Sequence, residues 1–104
     1  MKAEEARKLT YETCLPIAQE YLTNNSIEHL LKEMGGKMKE GFYHCKFSFK
    51  MGHFKEAALE IILKYYENEL ALLGYKTERS ENIRSTGGAY YEPTKFIDLL
   101  VSWY

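Results

Sequence analysis

Apolar and polar residues alternate without interruption from residue 43 to residue 51. One set of positions is apolar and consists of Tyr43, Cys45, Phe47, Phe49 and Met51; the other set is polar and consists of His44, Lys46, Ser48 and Lys50. An alternation of period two predicts a β-strand with one buried face and one solvated face. The solvated face carries several cations, so it offers a surface on which an anionic partner can bind.

Apolar residues at helical spacing predict two helices before this strand. The first covers residues 3–23, where the apolar residues that recur along one side are Tyr11, Leu15, Ala18 and Leu22. Pro16 has no amide donor, which predicts a kink or a new start near this residue. The second helix carries an apolar stripe of Ile27, Leu30, Leu31, Met34 and Met38. Asn25, with Glu28 three residues later, predicts a capping box at its start.

A third helix and two more strands are predicted after the first strand. The helix covers residues 54–73 and has Gly74 as its C-terminal cap. Its expected buried side consists of Ala58, Ile61, Ile62, Tyr65, Leu70 and Leu73. Residues 75–80 predict a short second strand, residues 81–89 a flexible loop, and residues 96–104 a final strand. Phe96 and Leu100 make the second side of the final strand partly apolar, so we expect a helix or another subunit to cover it.

This order of elements predicts a fold of the α+β class. N-terminal helices are followed by strand, helix, strand and strand, and a small, mainly antiparallel sheet packs on the helices. The length of 104 residues is that of a single domain, residues 1–104. Three strands leave edges that pair with a neighbouring chain unless they are protected. The nine tyrosines are typical of interfaces and ligand sites, or of rings at the edge of a core. We therefore expect a homo-oligomer.

Composition restricts the class of partner. The net charge of −1 argues against a nucleic-acid binder, which normally carries a basic excess. The N-terminal residues lack the apolar segment of a signal peptide, and no apolar run reaches the roughly 20 residues that span a bilayer. We therefore expect no membrane partner. Cys14 and Cys45 lie on apolar faces, which predicts buried free thiols and a cytoplasmic location.

Sequence motifs of enzymes are absent from the chain. It contains no nucleophile elbow, metalloprotease motif, phosphate-binding loop or dinucleotide fingerprint. His44 and Cys45 are neighbours on the first strand, so their side chains point to opposite faces and form no nucleophile–base pair. Neither cysteine has the spacing of a metal ligand. We therefore expect a protein without catalytic residues, metal or cofactor.

The segment after the predicted second strand combines groups that suit an anion. Arg84 supplies a cation, Ser85 and Thr86 supply hydroxyls, and two following glycines let backbone amides approach an oxyanion. Arg79 adds a second planar donor for phosphate. The full set of expected ligand-binding residues is Arg7, Arg79, Asn82, Arg84, Ser85, Thr86, Tyr90 and Tyr91. The same segment also fits a solvated hairpin connection, which is the alternative.

Short motifs in four elements resemble those of small phage-encoded proteins. The motifs are Ala-Arg-Lys-Leu at residues 6–9, Gly-Phe-Tyr at 41–43, Leu-Ala-Leu-Leu-Gly-Tyr at 70–75 and Val-Ser-Trp at 101–103. Within that group, the layout resembles the anti-Thoeris sponge proteins of phages. The resemblance implies an oligomer that sequesters cyclic ADP-ribose-type or cyclic oligonucleotide immune signals in an infected bacterium.

Three functional hypotheses follow from these observations. In the first, a non-enzymatic oligomer sequesters a small phosphorylated nucleotide: the expected arginines and hydroxyls hold phosphate, Asn82 contacts ribose or base, Tyr90 or Tyr91 stacks on the base, and Arg7 of a partner covers the pocket. In the second, a phage accessory protein inhibits a host protein through its Tyr-rich surface. In the third, the cationic strand face binds nucleic acid, which the near-neutral charge argues against.

Overall fold

The structure is a computed structural model that describes residues 1–84 and 93–104. Within these residues the chain forms three α-helices and three β-strands. In chain order they are α1 (Ala3–Asn24), α2 (Ile27–Lys39), β1 (His44–Lys50), α3 (Glu56–Leu72), β2 (Lys76–Arg84) and β3 (Thr94–Ser102). A single 3-10 turn, Met51–His53, follows β1. The predicted α+β class and the predicted order of elements are confirmed.

The three strands form one antiparallel sheet in the order β1-β3-β2. The last strand of the chain therefore lies in the centre of the sheet, between two strands that run parallel to each other and are connected through α3. The register places Asp98 of β3 directly opposite Ser48 of β1 and Ser80 of β2. Side chains in register point to the same face, so these three residues share one side of the sheet.

The helices cover only one face of the sheet. Leu99 and Val101 of β3 are fully buried on that face, against Ile62, Leu63 and Tyr66 of α3. Helix α1 packs on α3, and α2 packs beside β1. No described helix packs on the opposite side, which we call the open face. Its residues are His44, Lys46, Ser48, Lys50, Lys76, Glu78, Ser80, Asn82, Arg84, Thr94, Phe96, Asp98, Leu100 and Ser102.

Strand β2 is longer than the sequence pattern predicts. The predicted loop at residues 81–89 is wrong in its first part, because β2 pairs with β3 without a break as far as Arg84, which lies opposite Thr94. The residues of β2 are mostly polar, so their composition resembles that of a loop. Pairing with the apolar β3 overrides this local preference. Asn82 and Arg84 are therefore strand residues with fixed directions.

The N-terminal helices differ from prediction in two details. Helix α1 continues through Pro16 without a new start, and this residue is exposed, so water can replace the hydrogen bond that proline cannot donate. The N-cap of α2 is Ser26 and not Asn25. The side chain of Asn25 instead donates a 3.0 Å hydrogen bond to the carbonyl of Tyr21, which satisfies a group at the end of α1.

The predicted buried side of helix α3 is confirmed in part, because Ala58, Ile62 and Leu70 are buried as expected. Leu59, Leu63 and Tyr66 are buried, whereas Tyr65 and Leu73 are 40% and 58% exposed. The helix packs against both the sheet and α1, so its buried side is broader than a single apolar stripe indicates. Its predicted end is confirmed: Gly74 has a φ of +92°. The amides of Gly74 and Tyr75 bond to carbonyls of the last turn at 3.0 Å each, which is the Schellman arrangement.

Candidate anion-binding site

A buried carboxylate lies at the centre of the open face. Asp98 is only 1% exposed, although it lies on the side of the sheet that no described helix covers. The hydroxyl of Ser48 donates a 2.6 Å hydrogen bond to its Oδ1 atom. The side-chain amide of Asn82 donates a further hydrogen bond to its Oδ2 atom. All three strands therefore contribute to this network, because Ser48 lies on β1 and Asn82 on β2.

Arg84 completes the network around Asp98. Its Nη2 atom lies 3.1 Å from both carboxylate oxygens and 3.2 Å from the hydroxyl of Ser48. The guanidinium carbon lies 4.6 Å from the centroid of the Phe96 ring, within the range of a cation–π contact. The Nε and Nη1 groups make no hydrogen bond to the residues that the structure describes. Among the described residues, the guanidinium is thus held on one side only.

The network around Asp98 favours the ionised form of its carboxylate. Burial by itself raises the pKa of a carboxyl group. Here the hydrogen bonds from Ser48 and Asn82, together with the charges of Arg84 and Lys46, outweigh burial, and the pKa of Asp98 lies below its ordinary value. Asp98 therefore stays negative at neutral pH and keeps the guanidinium in position.

The open face around this network is basic, in contrast to the chain as a whole. It carries four cations, Lys46, Lys50, Lys76 and Arg84, and two carboxylates, Glu78 and Asp98. The three lysines are exposed, and Asp98 is already paired. Phe96 and Leu100 supply apolar surface in the middle of the face, where both are half-buried. An anion with a planar apolar group fits this combination of charges and surfaces.

The structure separates two of the expected ligand-binding residues from Arg84. Arg79 lies five positions before Arg84 on β2, and side chains an odd number of positions apart on a strand point to opposite faces. Arg79 therefore points to the helix-covered face. Its guanidinium bonds to both oxygens of Glu67 and, at 2.6 Å, to Glu60. These hydrogen bonds, chiefly those to Glu67, raise the pKa of Arg79. Arg7 lines a groove between α1 and α3, on the helical side of the protein.

The remaining expected residues divide into two groups. Asn82 and Arg84 are brought together around Asp98. The other four, Ser85, Thr86, Tyr90 and Tyr91, lie outside the described residues, and their role in ligand binding stays a prediction. Within the described residues, no cluster of three or more His, Cys, Asp or Glu side chains is arranged to hold a metal ion.

Sequence reasoning missed three residues of the network: Ser48, Phe96 and Asp98. Asp98 carried a usable signal, because it is the one charged residue in the apolar run at residues 96–101. A carboxylate in the central strand of a sheet needs partners, since a buried charge without them is costly. The identity of those partners depends on the strand order, which the sequence pattern does not provide.

A second surface lies on the helical side of the protein. The groove between α1 and α3 is open and mostly apolar, and its walls include Tyr11, Leu15, Ile61 and Tyr65. Tyr11 is 51% exposed. All residues of α1 as far as Thr13 are exposed, so this half of the helix presents much of its surface to solvent.

Comparisons with known proteins do not assign the chain to a family. No protein-family model matches it, and no similar protein is found among curated proteins or solved structures. The resemblance to phage sponge proteins therefore stays a prediction. Within the part of the chain that the structure describes, every helix is too short or too polar to cross a lipid bilayer.

Proposed function

We propose that this protein binds and sequesters a small phosphorylated nucleotide on the open face of its sheet and catalyses no reaction on it. The observation that carries the proposal is the fixed position of Arg84, which is held by the buried carboxylate of Asp98 at 3.1 Å. A prepositioned guanidinium loses little conformational entropy when it binds phosphate.

The chemistry of the open face supports a nucleotide over a simple anion. Arg84 offers to a phosphate the donors that bond to none of the described residues, and Lys46 and Lys50 extend the positive surface along β1. Phe96 supplies a ring beside the guanidinium, and the pair forms a platform on which a base can stack. Both halves of a nucleotide thus have a matching surface.

The resemblance of the sequence motifs to phage sponge proteins supplies the biological setting of the proposal. In that setting the protein acts in the cytoplasm of an infected bacterium and removes a cyclic ADP-ribose isomer or a cyclic oligonucleotide. The protein would sequester the signal as a homo-oligomer, which requires no catalytic group. Tyr90 and Tyr91 would then stack on the base, and Ser85 and Thr86 would bind its phosphates.

A release experiment tests this function directly. The purified protein is incubated with cyclic ADP-ribose isomers and with cyclic di- and trinucleotides, washed and denatured by heat, and the supernatant is examined for intact nucleotide. We expect at least one ligand to be recovered unchanged. Recovery of none of them, with no shift in melting temperature, would contradict the proposal. A hydrolysed product would contradict its non-enzymatic part.

A matched pair of variants locates the site. Lys46→Ala removes a cation from the open face, whereas Lys32→Ala removes one from an exposed position of α2. Both variants change the net charge by the same amount, so a difference between them reports position and not total charge. We expect weaker binding only for Lys46→Ala. Equal binding by both variants and the parent protein would move the site away from the open face.

Inhibition of a host protein is the second candidate function, and the exposed groove between α1 and α3 favours it. Tyr11 and Tyr65 line this groove and are 51% and 40% exposed, and tyrosine is enriched at protein interfaces. Tyr65→Ala, which changes the helical side and leaves the open face intact, distinguishes the two functions. Loss of biological activity in Tyr65→Ala with unchanged nucleotide binding would favour the protein partner.

A further inference from the structure

The outer edge of β2 is a long strand edge with no partner among residues 1–84 and 93–104. It runs over nine residues, Lys76–Arg84. An edge of this length presents a row of backbone donors and acceptors with which another chain can pair. Folded proteins usually discourage such pairing with like charges. The two edges of this sheet differ in that respect, and the difference indicates which one is an interface.

The edge formed by β1 is protected against self-pairing. The strand carries Lys46 and Lys50 and contains no acidic residue. Antiparallel pairing of two copies about Phe47 would place His44 opposite the partner's Lys50, and no carboxylate of either strand would compensate the cations. Helix α2 also packs beside this strand. We therefore expect that β1 does not pair with a strand of a second copy.

The edge formed by β2 is self-complementary. We propose that β2 pairs antiparallel with β2 of a second copy, with Ser80 on the two-fold axis, so that two sheets join into one of six strands. Arg79 then lies opposite the partner's Glu81 on the helix-covered face. Two further pairs are also compatible, Glu78 with the partner's Asn82 and Thr77 with the partner's Ile83. Ile83 is 66% exposed in the single chain and would gain a neighbour.

At the centre of the interface, charge favours this register over those centred on Glu81 or Arg79. In a different register, the helix-covered faces of the two sheets still lie on the same side only if the two-fold axis passes through another residue of β2. An axis at Glu81 would place two glutamates opposite each other, and an axis at Arg79 would place two arginines opposite each other. Like charges directly across a ladder are destabilising. The axis at Ser80 places two small hydroxyl groups together.

One pair in the proposed register carries like charges, and it indicates a binding site. Lys76 lies opposite the partner's Arg84 on the open face, twice in each dimer. A phosphate or phosphoryl group between them would remove the repulsion and bridge the two chains. This inference rests on the proposed function, because it uses the same arginine, and it adds that the partner's Lys76 completes the anion site. Dimer formation and anion binding are then thermodynamically linked.

Sedimentation equilibrium in the presence of inorganic phosphate at constant ionic strength tests this linkage. Each dimer has two phosphate sites. We therefore expect the association constant of the dimer to rise about 100-fold when the phosphate concentration is about ten times the dissociation constant of phosphate. Lys76→Glu places a carboxylate opposite the partner's Arg84, so we expect this variant to dimerise without phosphate and to respond to it no further. The control Lys32→Glu makes the same charge change on α2, and we expect it to behave as the parent protein.

A third variant tests the helix-covered side of the same interface. Glu81→Lys sets a cation opposite the partner's Arg79, and we expect a monomer at every phosphate concentration, with an unchanged circular dichroism spectrum. The inference would be overturned if the parent protein and Lys76→Glu both stayed monomeric, or if Lys76→Glu kept the phosphate dependence of the parent.

Failure of the interface and failure of the proposed function give different results. A monomer that binds nucleotide would overturn the interface and leave the function standing. A phosphate-linked dimer that binds none of the tested nucleotides would support the interface and contradict the proposed class of ligand.

Discussion

The carboxylate of Asp98 and the guanidinium of Arg84 form an ion pair on the open face of the sheet, with Arg84 Nη2 at 3.1 Å from both carboxylate oxygens. The carboxylate is 1% exposed, whereas the arginine side chain is 39% exposed. The pair therefore combines a buried carboxylate with a solvent-accessible guanidinium. This asymmetry lets the sheet hold an arginine toward solvent in a fixed position.

Replacement of Asp98 is expected to lower stability in a pH-dependent way. Asp98→Asn removes the charge that accepts hydrogen bonds from Ser48, Asn82 and Arg84, and the cost at pH 7 is about 1.5–3 kcal/mol. The pKa of Asp98 is lowered by folding, so its contribution is present above its unfolded value near 3.8 and is lost as pH falls through the folded value.

Urea unfolding of Asp98→Asn and the parent protein at pH 7, 5 and 3 measures this effect. The difference in unfolding free energy should stay nearly constant from pH 7 to pH 5 and shrink at pH 3. A difference that is the same at all three values would show that the carboxylate charge does not contribute.

Arg84 is expected to dominate ligand affinity among the described residues. Arg84→Ala should weaken nucleotide binding by about 1.5–3 kcal/mol, which is about 10-fold to 150-fold in dissociation constant. Arg84→Lys keeps the charge but loses the planar fork and the contact with Phe96, so it should also bind weakly. Isothermal titration calorimetry gives both constants. An affinity in Arg84→Ala equal to that of the parent would exclude this residue from the site.

Arg79 is expected to contribute to stability and not to binding. Arg79→Gln leaves Glu67, which is 24% exposed, without its paired cation, and should cost about 1–3 kcal/mol in unfolding free energy. Because this side chain lies on the helix-covered face and does not reach the open face, we expect nucleotide affinity, compared at equal oligomeric state, to stay within about twofold of the parent value. Thermal unfolding and calorimetry on the same preparation measure the two quantities. A large loss of nucleotide affinity in a folded Arg79→Gln variant would show that Arg79 contributes to the binding site.

Two glycines are expected to respond oppositely to alanine. Gly74 has a φ of +92°, a conformation that residues with a Cβ atom rarely adopt, so Gly74→Ala should destabilise the protein by about 1–2 kcal/mol. Gly36 lies inside α2, and no atom lies within 4 Å of an added Cβ. Gly36→Ala should therefore stabilise the protein by about 0.5–1 kcal/mol. Chemical denaturation decides both signs, and equal effects would contradict the assignment of the cap.

The hydroxyl of Tyr66 is expected to contribute measurably to the packing of α3 on the N-terminal helices. Tyr66 is fully buried and donates a hydrogen bond to the carbonyl of Asn25. Tyr66→Phe should cost about 0.5–1.5 kcal/mol. Tyr104→Phe is the matched control, because Tyr104 is 87% exposed and its hydroxyl bonds to none of the described residues. Equal stability of the two variants would show that the buried hydroxyl contributes nothing.

The sequence by itself determined the elements of this fold and much of its core. The alternation at residues 43–51 identified β1, and helical spacing identified all three helices, because local periodicity depends only on which side of an element is buried. Gly74 identified the end of α3, since few other residues adopt its backbone conformation. Cys14 and Cys45 were expected to be buried free thiols, and both are.

Only the tertiary structure decided which polar residues meet. The sequence placed Arg79 and Arg84 in one site, but strand β2 extends to Arg84 and directs the two side chains to opposite faces. The central position of β3 brings Ser48, which precedes Asp98 by 50 residues, to the same carboxylate as Arg84. Strand order and register are long-range properties, fixed by the pairing of distant segments, and no local pattern in the chain encodes them.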